Sequence, residues 1–190
     1  MAVVKAFKCA FKSRGEYGPV GLVLKTMNSD KTPESAIALQ NLACNDPDII
    51  LVEATLTREE VRALMATCDA VVTLHRSEGL GLLVAEAMVL GKPVISTDYS
   101  ATTALVTPET GWPVDFALVP VAEGAYPFHE GQVWADADLD HAAWQMQAVV
   151  RDKDAVQRKT AAARSLIRRD HGIDAVSARQ LARLRALDTF

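Results

Sequence analysis

Four short apolar runs constrain this chain most: Val20–Leu24, Ile49–Val52, Ala70–Leu74, and Val94–Ile95 with its flanks. A strand with one wet face alternates apolar and polar residues. These runs are β-rich and nearly unbroken in apolarity, which requires cover on both faces and points to parallel strands. The segments between them carry helix-start signals. Thr32-Pro33 offers an N-cap followed by proline at the first helical position, and Thr57-Arg-Glu-Glu60 is a capping box. Before the first run, Met1–Lys12 reads as an amphipathic helix with Val3, Phe7 and Phe11 on one face and three lysines on the other. Strands alternating with helices over short connections predict an α/β fold, a doubly wound and mostly parallel Rossmann-like sheet. Ligands of such folds bind beyond the carboxyl ends of the strands.

The chain has 190 residues, 49% of them hydrophobic, enough for one domain over 1–190 with its own core. No apolar run is long enough for a membrane span. Lys5, Lys8 and Lys12 interrupt the apolar residues at the N-terminus, which excludes a signal peptide there and favours a cytoplasmic protein. Cys9, Cys44 and Cys68 lack metal-type spacing and read as reduced thiols. His75, His129, His141 and His171 are scattered, so neither metal nor cofactor is expected. Residues 117–136 are rich in Pro and Gly, carry three aromatics, and predict a long irregular loop. Helices are expected over Asp138–Val150, Asp154–Arg169 and Ile173–Leu187. Half of the Lys and Arg residues fall between Arg151 and Arg185, but Asp152, Asp154, Asp170 and Asp174 are interspersed and no stacking aromatics accompany them. That pattern describes solvated helix faces rather than a nucleic-acid surface, with contact to anionic lipid the weaker reading.

The chemistry concentrates in Glu78-Gly-Leu-Gly-Leu-Leu-Val-Ala-Glu86-Ala-Met-Val-Leu-Gly91. From Leu80 to Leu90 this reads as one buried helix whose single charge, Glu86, has Leu82, Leu83, Val89 and Leu90 as helical neighbours. A carboxylate in such company requires a specific donor. Gly79 and Gly81 open the helix and allow close approach to backbone N–H groups, which attract anions. Glu78 stands at the helix mouth. An anion site with a carboxylate on either side suits a ligand carrying phosphate and hydroxyl groups, such as a nucleotide-sugar. The plainer reading is an ion pair between Glu86 and an arginine elsewhere in the fold. The spacing alone leaves both open.

The run from Cys68 to Thr97 resembles the donor-binding half of GT-B glycosyltransferases, closest to the retaining family 4 with its Glu-x7-Glu signature. The resemblance covers about Met1 to Leu187, and Asp69–Thr97 is its specific part. Tyr126-Pro-Phe and Gln132-Val-Trp-Ala-Asp136 look like segments of bacterial members. The resemblance implies that Glu86 accepts hydrogen bonds from the nucleotide ribose and that Glu78 is the catalytic acid residue contacting the transferred sugar. It implies that the N–H groups of Gly81, Leu82 and Leu83 hold the diphosphate, with Gly79 and Leu80 lining the approach, and that Leu56 touches the base. Lys25 could reach a phosphate or simply face solvent. His75 and Arg76 lie near the sugar or diphosphate, unless Arg76 pairs with a nearby acid.

The implied reaction transfers a sugar from a nucleoside-diphosphate sugar to an acceptor hydroxyl with retention and without a divalent ion. The acceptor site of this architecture lies in a separate N-terminal domain. The opening helix resembles the one that follows a first strand and a cationic turn, so the resemblance implies a domain truncated at its N-terminus and inactive alone. A missing acceptor domain or a separate subunit would then complete it. A non-catalytic nucleotide-sugar-binding subunit and a silent domain fragment are the alternatives. A nucleotide-sugar epimerase shares the architecture, but the Glu-x7-Glu context fits transferases better.

Overall fold

A computed structural model of the chain describes residues 1–13 and 15–187. In chain order the elements are α1 (Ala2–Ala10), β1 (Leu22–Thr26), α2 (Pro33–Ala43), β2 (Ile49–Glu53), α3 (Arg58–Thr67), β3 (Val71–Thr73), α4 (Leu82–Val89) and β4 (Val94–Thr97). They continue with β5 (Trp112–Val114), β6 (Phe116–Pro120), β7 (Val133–Ala137), α5 (Leu139–Arg151), α6 (Lys153–His171) and α7 (Ile173–Leu187), and short 3-10 turns lie at Ser29–Lys31 and Ser100–Ala104. All four apolar runs form strands. The capping box forms as expected: the Glu60 N–H donates to Thr57 Oγ1 at 3.2 Å, and the Thr57 N–H donates to Glu60 Oε2 at 2.7 Å. At α2, Pro33 occupies the first turn but the Thr32 side chain makes no capping bond.

The parallel strands pair in two groups. β1 pairs with β2, Leu22 opposite Ile49 through Thr26 opposite Glu53. β4 lies between β3 and β5, with Val71 opposite Val94 and Ile95 opposite Trp112. Among the described residues no ladder joins β1 to β3. Burial follows from this. Every residue of β4, flanked on both sides, is buried, whereas β1 and β3 are only half-buried along their length.

Successive residues of β4 point to opposite faces and into different cores. Ile95 joins Val4, Phe7, Trp112, Val114 and Met146, where α1 and α5 cover the strands; Leu22, Leu24, Val72 and Leu74 pack against this cluster from both sheets. Val94 joins Met65, Val84, Met88, Leu105 and Ile167 beneath α4 and α6. Helices on both faces of parallel strands make the doubly wound α/β arrangement. Burying side chains such as Met88 and Ile95 stabilises it by about 1.5–3 kcal/mol each.

The stretch 117–136 departs from expectation. It is largely an antiparallel hairpin in which Phe116 pairs with Ala137 and Pro120 with Val133, leaving 121–132 as its loop. Hydrogen bonding between segments so far apart in sequence leaves no trace in local composition, and Pro120 is tolerated because it sits at the strand end. The three tail helices form, though α7 buries no residue. No described helix is long and apolar enough to cross a membrane.

Candidate functional site

Helix α4 starts at Gly81, whose φ of 80° lies in the left-handed region. A Cβ there would meet Thr102 Cγ2 at 2.9 Å, so both conformation and contact demand glycine. At Gly79 a Cβ would meet nothing within 4 Å, which leaves the approach to the helix mouth open. The first intrahelical bond runs from the Ala85 N–H to the Gly81 carbonyl at 2.9 Å. The N–H groups of Leu82, Leu83 and Val84 therefore have no helical acceptor, and no side chain caps them. These donors, with the helix dipole, make the entrance electropositive.

The Gly81 N–H is not among the free donors. It binds Glu78 Oε1 at 3.0 Å, and the Leu80 N–H binds the same oxygen at 3.3 Å. Those two bonds, Gly81 first, hold the Glu78 carboxyl below the usual glutamate range against the opposing effect of burial. The Glu78 backbone is fixed as well: Ser100 Oγ donates to its carbonyl at 2.7 Å, and the Ala101 N–H donates to the same carbonyl at 3.3 Å. The β3–α4 loop is thus clamped to the Ser100–Ala104 turn, with an ionised carboxylate at the mouth of α4.

One helical stretch further on, Glu86 Oε1 lies 3.2 Å from Arg58 Nη2 and 3.7 Å from Arg62 Nη2. Its Oε2 meets no donor among the described residues. The helix is not buried all round as expected. Val84, Ala87 and Met88 are buried and Ala85 packs against the same core, while Leu82, Leu83 and Val89 are exposed. Apolarity along a helix does not reveal which face the fold covers, and α6 and β4 cover only one. Glu86 consequently sits at a partly open rim, 26% exposed, rather than in a dry interior. Exposed Leu80 and Leu82 flank the entrance and give it an apolar border.

The remaining predicted residues divide. His75 turns inward: its Nε2 lies 3.0 Å from the Tyr99 carbonyl and 3.2 Å from Thr102 Oγ1, and its Nδ1 lies 3.4 Å from Thr73 Oγ1. Arg76 donates to Asp136 at 3.0 Å and lies 4.5 Å over the Trp134 ring, tying the loop to β7. Lys25 is half-buried near the carboxyl end of β1, opposite Val52. Leu56 is half-buried immediately before the Thr57 cap. Burial first, and then the charges of Lys5 and Arg76, hold the N-terminal amine at the start of α1 below its ordinary pKa. Arg58, Arg62, Ser100 and Thr102 were not singled out from the sequence. The four-residue spacing of the two arginines behind the capping box was a visible signal that they share a face. For Ser100 and Thr102 there was none.

The family model for glycosyl transferases group 1 matches residues 22–125. No curated protein sequence matches the chain. Among solved structures, the C-terminal domain of a glycosyl transferase group 1 family protein (LpcC) from Francisella tularensis is 18% identical, covering 90% of this chain and 78% of that one with a TM-score of 0.65. The α,α-trehalose 6-phosphate synthase of Burkholderia multivorans is 14% identical, with a TM-score of 0.72 over 99% of this chain and 40% of that one. Anabaena HepE, solved with UDP and glucose, is 15% identical, with a TM-score of 0.64 over 99% of this chain and 44% of that one. The chain spans 31% of the length of S. aureus TarM, which it also resembles. At these identities the structural likeness establishes the fold. With the family model covering more than half its length, the chain belongs to the glycosyl transferases group 1 family.

Proposed function

We propose that this chain is the donor-binding half of a retaining glycosyltransferase, holding a nucleoside-diphosphate sugar at the entrance of α4. The observation that carries this reading is the uncapped first turn of α4 between two carboxylates, one pinned at its mouth and one with a free oxygen. The N–H groups of Leu82, Leu83 and Val84 would take the diphosphate and, as the sugar leaves, the negative charge that develops on it. Glu86 would accept from the ribose, Leu56 would border the base, and Lys25 would approach a phosphate. Glu78, kept ionised by the N–H groups of Gly81 and Leu80, would face the transferred sugar. The UDP and glucose bound by HepE are ligands of this class. We place the acceptor site in a domain or subunit outside these residues, in a cytoplasmic protein that needs no metal.

Calorimetric titration with UDP, GDP and ADP against their monophosphates tests the reading. At least one diphosphate should bind more tightly than its monophosphate; equal affinities would remove the diphosphate from the helix entrance.

A second reading, a nucleotide-sugar-binding subunit inactive without an acceptor-domain partner, follows from the same assignment of every site feature to the donor side. Purified chain assayed with a panel of nucleotide-sugars should then show neither transfer nor hydrolysis. Turnover without a partner would sink this second reading.

A further inference from the structure

We propose that Arg58 and Arg62 are positioning residues that fix Glu86 for a ribose, making the site selective for nucleotides that keep both ribose hydroxyls. The proposal rests on the nucleotide-sugar reading above. The capping box sets the first turn of α3, and the spacing of four residues puts both guanidinium groups on one face. Two acids share that turn, Glu59 and Glu60, and the second is engaged by the Thr57 N–H. Both arginines approach the same oxygen of Glu86, Oε1, at 3.2 and 3.7 Å. A glutamate on a helix surface has several rotamers within easy reach. Two cations on one oxygen favour those that keep Oε1 towards α3, and Oε2 meets no donor among the described residues.

One carboxylate oxygen has lone pairs for two donors, which matches the vicinal hydroxyls of a ribose. The arginines themselves are well exposed, Arg58 at 70%, so their pairing with Glu86 contributes little to fold stability. A device that orients a ligand acceptor gains its effect when the ligand binds.

The test compares UDP, GDP and ADP with their 2′,3′-dideoxy counterparts by titration calorimetry on the intact chain. The wild type should prefer the ribose form by about tenfold or more, the worth of a hydrogen bond to a charged acceptor. Glu86→Gln should abolish that preference. The double variant Arg58→Ala, Arg62→Ala should lower it by about two- to fivefold, the worth of an exposed ion pair, and Arg58→Lys, Arg62→Lys should restore part of it. In the Glu86→Gln background the arginine substitutions should leave the ratio unchanged. Circular dichroism melting provides the folding control, and single Arg58→Ala serves if the double variant melts early. An undiminished ribose preference in the alanine variants, with Glu86→Gln still abolishing it, overturns the proposal while sparing the nucleotide reading. Equal losses for ribose and dideoxy forms overturn it too, since the arginines would then act on the phosphates. A wild type with no ribose preference overturns both the proposal and the role of Glu86.

Discussion

Gly81 and Glu78 form one unit, because the glycine supplies both the left-handed turn and the N–H that holds the carboxylate. Gly81→Ala should destabilise the fold by about 1–3 kcal/mol through strain at positive φ and the contact with Thr102, read from urea unfolding. Gly79→Ala, facing open space, should leave stability unchanged; a large loss there would show that the loop is packed more tightly than its geometry indicates. Glu78 adds a pH dependence. Its pKa is lower in the folded chain than in the unfolded one, so its contribution is present above the ordinary glutamate value and fades as pH falls through the folded value. Glu78→Gln should thus be less stable than wild type near neutrality and converge with it in acid. Parallel stability curves across that range would show that the charge of Glu78 does not matter to its anchoring. The sequence disclosed both glutamates and both glycines. It did not disclose that Glu78 takes the Gly81 N–H, because a side chain turning back onto its own backbone is a local competition that periodicity cannot register.

At the scale of elements, the α3 cap and the first four strands were legible, while the later strands and the coverage of the helices were not. Thr57 and Glu60 cap α3 because the signal is complete within four residues. Thr57→Ala should cost about 1 kcal/mol in thermal unfolding, and an unchanged midpoint would mean that α3 is held by tertiary contacts alone. The β6–β7 hairpin escaped notice because its two strands are separated by twelve residues of loop. Once formed, it places Trp134 beneath Arg76 and Asp136 beside it, so that a remote element steadies the loop leading to Glu78. The exposed leucines of α4 were also hidden from sequence reading, since an apolar helix looks the same whether one side or every side is covered.

Over the whole molecule the unexpected feature is the division of the parallel strands into a pair and a triplet. β1 to β4 were readable from their own residues and β5 was not, and which strands pair depends on contacts distant in sequence. The two groups share one apolar cluster through α1 and α5 without sharing a hydrogen-bonded ladder. A two-stranded pair with half-buried residues should open at lower free energy than a buried central strand. Native-state hydrogen exchange should therefore show faster exchange for the amides of β1 and β2 than for those of β4. Uniform protection across all five strands would mean that the packing of α1 and α5 makes the two groups one cooperative unit.

The stacking of Arg76 on Trp134 also gives the protein a built-in optical reporter. Trp112 is 3% exposed with the Lys159 ammonium 4.5 Å over its ring, and Trp144 is 58% exposed to water. Trp134 touches the loop that carries Glu78, through a cation 4.5 Å from its ring. Any movement of that loop changes the charge over the indole, so its emission records the state of the rim with no label attached.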